Sequence, residues 1–340
     1  MSGGSLNKWG SVRFSPDSPL EKLMSTNTRS ILRYPGSKAR FVEFIANVIR
    51  LNGLRIDVFA EPFCGGASVS IALLEKGLVE KIALNDADPL IAHLWDTIFC
   101  PIHSEWLAEQ VLHVPLTIDE WKRQKSLEPT STRESALKCL YLNRTSFNGI
   151  IHKAGPVGGW QQDRRTLAAR FNREKLAQRI RELSLLSEHV VTVSCNDWEN
   201  FCDRLREQAK TFFYFDPPFY RKADALYGYY FSNKDHSHLR NYLDNTNENW
   251  MLSYDDTPEV RELYKEHNKR ARVIDSTYSA HPMGGASFVG RELFFSNLSR
   301  LPSPASENEE HVGITIRKYK KGAKHGLGLT RIPTTPSASA

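Results

Sequence analysis

Nowhere in the 340 residues is there a run close to the ~20 consecutive apolar residues that a helix needs to cross a bilayer. Behind Met1 no basic head leads into an apolar core, so no secretory signal is expected and the cytosol is the default compartment. Cysteine is sparse and odd in number: Cys64, Cys100, Cys139, Cys195 and Cys202 form no C-x-x-C pair. A disulfide framework and a zinc site are both poor expectations, and no metal is expected; buried thiols are the plain reading. Internal repeats are lacking too. Charge of one sign is nearly balanced, with 45 Lys and Arg against 39 Asp and Glu, a net +6.

That surplus is unevenly placed. Between Tyr141 and Ile180 lie Arg144, Lys153, Arg164, Arg165, Arg170, Arg173, Lys175 and Arg179, opposed only by Asp163 and Glu174. Two readings stand. The window is a contact surface for a polyanion, or it is a solvated helix face balanced in space by acids elsewhere.

The first 28 residues are polar and read as a loose arm. The segment from Lys321 to Ala340 is rich in Gly, Pro and Ser and reads as disordered. Between them strand and helix signals alternate. Ile56–Ala60 reads as a buried strand, Ser68–Glu75 as a helix with Ser68 as N-cap, Gly77 as its stop, and Lys81–Leu84 as the next strand. This β-turn-α-β unit predicts an α/β fold with a mostly parallel sheet and helices on both faces. Helical stretches then dominate (Ser104–Leu112, Ile118–Ser126, Glu134–Tyr141), followed by a Gly-rich loop from Gly149 to Gly159. Strand signals return at Val190–Ser194, Thr211–Phe215, Trp250–Ser253, Arg272–Ile274, Glu292–Phe295 and Gly313–Arg317. The expected division is a catalytic domain in two parts, 29–100 and 177–320, around a helical insertion at 101–176.

Two places carry chemistry. Gly65 and Gly66 follow the first strand, where glycine lets backbone approach a ligand and the next helix offers unpaired N–H groups. Twenty residues beyond Gly66 stands Asp86, at the distance where nucleotide-binding βαβ units keep an acid for the ribose hydroxyls. The motif is not G-x-G-x-x-G, so a pyrophosphate is a poor guest. S-adenosylmethionine, with a ribose and no phosphate, fits better. A mere tight turn remains open on these residues alone.

The second place is Asp216-Pro217-Pro218-Phe219, where the apolar run Thr211–Phe215 stops abruptly. Proline cannot continue a central strand, and it stiffens the residue before it. The turn would present a carboxylate, carbonyls with little competing N–H, and a ring face. Those groups suit methylation of an exocyclic amine on a planar ring. The amine's lone pair is delocalised, and acceptors around its hydrogens favour the developing tetrahedral nitrogen. Phe219 would stack on the base.

Taken together these segments resemble the Dam-type (D12 class) DNA adenine-N6 methyltransferases. The resemblance runs in order from Arg33 to Phe295: Arg33-Tyr34-Pro35-Gly36-Ser37-Lys38, Glu61 to Ser68, Asn85-Asp86-Ala87-Asp88, Asn143 to Gly149, Asp216 to Phe219, Tyr227 to Leu239 with Phe231 and Asp235-His236, and Arg291-Glu292-Leu293. It implies a class I, Rossmann-like S-adenosylmethionine-dependent fold with an inserted target-recognition subdomain. The implied activity is site-specific methylation of adenine N6 in double-stranded DNA, on a base flipped out of the duplex. It implies catalysis by Asp216, Pro217, Pro218 and Phe219, and cofactor contacts from Tyr34, Lys38, Glu61, Phe63, Gly65, Gly66, Asp86, Asp197 and Asp216. Lys38 would meet the methionine carboxylate, and Asp197-Trp198 would flank the adenine ring. DNA contacts are implied for Arg144, Asn148, Lys153, Arg164 and Arg165. A monomer is expected, solitary or accompanied by a separate restriction endonuclease. One departure stands out: the family's usual Tyr in the catalytic motif is Phe219 here, which keeps the ring and loses the hydroxyl. A methyltransferase for another planar amine or amide, and a DNA-binding protein without catalysis, are the alternatives.

Overall fold

A computed structural model describes residues 30–33, 36–163, 166–221, 228–278, 288–302 and 314–318. The expected terminal arms, Tyr34, Arg164, Arg165 and Tyr227 lie outside the described residues.

Among the described residues eight strands form one sheet: β1 Val58–Glu61, β2 Ile82–Asn85, β3 Val190–Ser194, β4 Thr211–Phe215, β5 Asn249–Asp255, β6 Ala271–Tyr278, β7 Phe288–Ser296 and β8 Ile314–Lys318. Their order is β3-β2-β1-β4-β5-β7-β6-β8. The first five are mutually parallel; β7 is antiparallel to β5 and β6, and β8 is antiparallel to β6. The chain winds outward from β1 in one direction and from β4 in the other. That reversal opens a crevice at the carboxyl ends of β1 and β4, where ligands bind in open α/β sheets.

Strands β1, β2 and β4 at the centre of the sheet are buried along their whole length because both faces are covered. Alternate residues turn to opposite sides, as strand geometry requires. Phe59, Phe212, Tyr214 and Phe294 enter one apolar cluster, while Val58, Ala60, Phe213, Phe215 and Phe295 enter another. Helices α1 (Val42–Leu51), α2 (Ser68–Glu75) and α3 (Pro89–Ile98) contribute to the first cluster. Between β2 and β3 the chain continues through α4 (Pro101–His113), α5 (Ile118–Ser126), α6 (Thr132–Thr145) and α7 (Arg173–Ser184). Trp121, Leu140 and Leu176 from these helices join the same cluster as Phe59, so the helical region packs onto the sheet's own core. The opposite face is covered by α8 (Trp198–Arg206), α9 (Asn233–Asn245) and α10 (Pro258–Leu263), through Phe201, Leu239 and Val260.

Several sequence boundaries shift, each for a local reason. Helix α4 begins at Pro101, not Ser104, because proline is at home in the first helical turn, where its missing N–H has no partner anyway. Helix α6 spans more than the expected 134–141, since Ser131 caps it by accepting from the Glu134 N–H. Strand β5 reaches Asp255 because its ladder with β7 continues to Glu292. Ser68 is not a cap. The position before α2 belongs to Ala67, held in the left-handed region at φ 45° with no side-chain cap, and the Ser68 hydroxyl instead accepts from Ser37 at 3.1 Å. Gly77, at φ 62°, follows α2 as expected.

Among the described residues no helix is long and apolar enough to cross a membrane. Cys64, Cys139 and Cys202 are buried free thiols; Cys195 is exposed.

Candidate active site

Strand β1 ends in Glu61, whose carboxyl accepts the Ser70 N–H at 2.7 Å. Burial pushes its pKa up to about 8, and the nearby Asp216 charge pushes the same way. The chain then turns sharply through Gly65, at φ 43°. The Gly65 carbonyl accepts from the Trp95 indole N–H at 2.8 Å, which ties the turn to α3. The Gly65 N–H donates to Asp86 Oδ2 at 2.8 Å, and the Asp88 N–H donates to Oδ1 at 3.0 Å. The two donors fix the plane of the Asp86 carboxyl. Desolvation, with Asp88 second, lifts its pKa to about 7. Asn85 ties this edge to its neighbours, donating to the carbonyls of Pro62 (3.0 Å) and Asn196 (3.1 Å).

Strand β4 ends at Phe215, and Asp216 follows it directly. Its Oδ1 lies 2.9 Å from the Lys38 ammonium and accepts the Ser253 hydroxyl at 2.6 Å. Lys38 also donates to the Gly36 carbonyl at 3.0 Å and lies 3.8 Å from Glu292 on β7. Its ammonium stands 5.6 Å from the centre of the Phe219 ring. Gly36 needs its lack of side chain twice over: φ is +80°, and a Cβ there would stand 2.8 Å from that ring. The N-terminal turn is thus pressed against the Asp-Pro-Pro-Phe turn.

A cavity of about 340 Å³ opens between these two strand ends. Lys38, Glu61, Phe63, Gly65, Gly66, Asp86, Asp197 and all four of Asp216, Pro217, Pro218 and Phe219 line it. Every described residue expected at the cofactor and catalytic positions therefore shares one wall-to-wall space; Tyr34 is not described. Phe63 meets Phe231 edge to face at 5.4 Å and lies 6.1 Å from Trp198, giving the cavity an aromatic side. Lys38, expected to meet a methionine carboxylate, is paired with Asp216 in this structure. Asp197 has a structural task, accepting the N–H groups of Glu199 (3.0 Å) and Asn200 (3.3 Å) at the start of α8.

The basic window is less uniform than its charge count implies. Arg144 turns inward and donates to the Ile31 carbonyl; burial first, then Arg33 and Arg170, lower its pKa to about 10. Arg173 donates to the carbonyls of Val111 (2.9 Å), Leu112 (3.0 Å) and Val114 (2.6 Å), closing the end of α4. Arg179 lies 2.7 Å from the buried Glu75 carboxylate. These three hold the fold together, so the single-stripe reading fails for them. Lys153 and Arg170 are exposed, as is Asn148, which sits in the left-handed region at φ 54°. Asn148 directly precedes Gly149–His152, which line the cavity.

Sequence reasoning missed several residues here. His152 Nε2 lies 2.5 Å from Asp88 Oδ2, joining the Gly-rich loop to the Asp86 segment. Asn143 bonds both the N–H and the carbonyl of Arg33 (2.8 and 3.1 Å) and the Gly149 carbonyl (2.9 Å). Ser253 and Tyr214 stand behind Asp216. Asn143 stood in the segment Asn143 to Gly149 without a role of its own, and Ser253 left a trace as the one small polar residue in the apolar run Trp250–Tyr254.

The description "D12 class N6 adenine-specific DNA methyltransferase" matches residues 34–279. A Type II methyltransferase of Methanocaldococcus jannaschii, M.MjaIII, is 23% identical over 215 residues, covering 56% of this chain and 69% of that protein. The matched span takes in the glycine turn, Asp86, the Gly-rich loop and the Asp-Pro-Pro-Phe turn that meet at one cavity. The chain therefore belongs to the D12 class of N6 adenine-specific DNA methyltransferases.

Proposed function

We propose that the cavity binds S-adenosylmethionine together with an adenine flipped out of duplex DNA, and that the base is methylated at N6. The chemistry of the cavity fits that donor. Asp88, Asp197, Asp216 and Asp235 line it, and among the described lining residues the one lysine, Lys38, is already paired, while Glu61 holds its proton near neutral pH. Such a wall favours a guest carrying positive charge, and S-adenosylmethionine brings a methyl group on a cationic sulfur. Asp86, oriented by two backbone N–H groups, is placed to accept from ribose hydroxyls. Phe63 offers an apolar face beside them.

Asp216 and the carbonyls of the Asp216–Pro218 segment accept hydrogen bonds from the target amine. They hold its hydrogens to one side and its lone pair toward the methyl group. Transfer is then an in-line displacement: the N–C bond forms as the C–S bond breaks, and positioning supplies most of the rate. Phe219 stacks on the base with its ring fixed by Gly36, so the missing tyrosine hydroxyl leaves stacking intact. Asn148 and Lys153, exposed at either end of the cavity-lining segment Gly149–His152, contact DNA, with Arg164 and Arg165 as further phosphate ligands. Residues 101–176 act as the target-recognition insertion. The protein works as a cytoplasmic monomer, with or without a cognate restriction endonuclease.

The observation that carries this reading is the meeting of Asp86 and Asp216 in one cavity at the carboxyl ends of the sheet. Incubation with methyl-labelled S-adenosylmethionine and duplex DNA, followed by digestion to nucleosides, tests it. Label in N6-methyladenine supports it. Label in RNA or protein, or DNA binding with no transfer, counts against it.

A further inference from the structure

Asp216 does not stand alone at the end of its strand. Phe215 pairs with Leu252 in the parallel ladder, so the next residues along, Asp216 and Ser253, face each other just past it. The Ser253 hydroxyl lies 2.6 Å from Asp216 Oδ1 and 3.5 Å from the Phe215 carbonyl, so its hydrogen goes to the carboxylate. The Ser253 oxygen in turn lies 2.9 Å from the Tyr214 hydroxyl. Ser253 and Tyr214 are both fully buried. With the single Ser253 hydrogen committed to Asp216, the Tyr214 phenol is the donor to the Ser253 oxygen. The hydrogen bonds run one way: Tyr214 to Ser253 to Asp216.

Both the Ser253 hydroxyl and the Lys38 ammonium fall on the same oxygen, Oδ1. We infer that Ser253, oriented by Tyr214, is a positioning residue that locks the Asp216 carboxylate by Oδ1 and so presents Oδ2 to the target amine. A carboxylate with three or four open acceptor sites can rotate; one held on Oδ1 by two donors from different directions cannot turn without breaking both. This inference rests on the proposed role of Asp216 as acceptor for the amine. A pocket whose acceptor is already aimed needs no reorganisation during transfer, which is where such preorganisation speeds a reaction.

The test uses the full chain, S-adenosylmethionine and duplex DNA, and compares single-turnover methylation rates with donor and DNA affinities. Ser253→Ala should slow transfer roughly 10- to 100-fold, the scale of a misplaced reacting group, with both affinities within twofold of the parent. Ser253→Thr keeps the hydroxyl on a strand that tolerates β-branching and should recover most of the rate. Tyr214→Phe should slow transfer by a smaller factor, again with affinities unchanged. An unchanged rate in Ser253→Ala, or no recovery with Ser253→Thr in a folded protein, overturns the inference. If Ser253→Ala does not fold, Tyr214→Phe decides: a slower rate at equal affinity supports the lock, and an unchanged rate overturns it. Asp216→Ala separates the two levels. A dead Asp216→Ala beside a fully active Ser253→Ala removes only the lock, while an active Asp216→Ala removes the role of Asp216 itself.

Discussion

The Lys38 ammonium lies between two carboxylates, 2.9 Å from Asp216 and 3.8 Å from Glu292, and is itself 4% exposed. One buried cation thus serves two acids from different strands, and it joins the N-terminal turn to the end of β4. Removing one member of a buried pair leaves a charge that water cannot reach, and the usual cost is about 3–5 kcal/mol. Asp216 keeps 25% of its side-chain exposure, which softens that penalty.

Lys38→Met should therefore lower unfolding stability by about 2–3 kcal/mol, measured by urea denaturation at neutral pH. Adding Glu292→Gln to Lys38→Met should restore part of the loss, because it removes one of the two charges that Lys38 faces. If the double variant is less stable than Lys38→Met, Lys38 does not neutralise Glu292.

Glu61 makes stability depend on pH in a defined direction. Its pKa rises from 4.5 to about 8 on folding, so across that window the folded chain holds a proton that the unfolded chain releases. Stability from this group is full below 4.5, falls as pH rises, and is lost above about 8, at up to about 1.4 kcal/mol per pH unit. Asp86 acts in the same direction between 3.8 and about 7. Glu61→Gln keeps an acceptor for the Ser70 N–H and has no proton to lose. Urea unfolding from pH 6 to pH 8 should show a shallower decline in the variant than in the parent. Parallel declines would remove Glu61 as their source.

The basic window divides into two classes that experiment can separate. Arg173→Ala removes three hydrogen bonds to the carbonyls ending α4 and should cost about 2 kcal/mol of stability, with the salt dependence of DNA binding unchanged. Lys153→Ala should cost less stability than Arg173→Ala and lower the slope of log K against log salt by about 1. A Lys153→Ala slope equal to the parent's would take Lys153 out of the phosphate contacts.

Much of the fold was legible because its signals are local. Thr211–Phe215 is a strand because a threonine and four aromatic residues run up to Asp216 and two prolines, and Ile118–Ser126 is a helix because Thr117 caps it. Strands β6 and β7 run longer than their apolar cores because the ladder between them extends through polar and glycine positions such as Arg291 and Gly290. Strand order could not be read, since it depends on which distant segments pair. The cavity walls were legible for the same reason as β4: glycines, prolines and an acid stand at fixed offsets from strand ends. The supports were not, because Ser253 meets Asp216 across 37 positions, His152 meets Asp88 across 64, and Asn143 meets Arg33 across 110. Charge counting failed at Arg144 and Arg179 because sequence does not say which way a guanidinium turns.

The central claim is that Asp216 acts on the amine and not in holding the DNA. Asp216→Ala should bind duplex DNA within about threefold of the parent while methylating adenine N6 roughly a thousandfold more slowly. A variant that binds DNA and still methylates at the parent's rate would contradict the account.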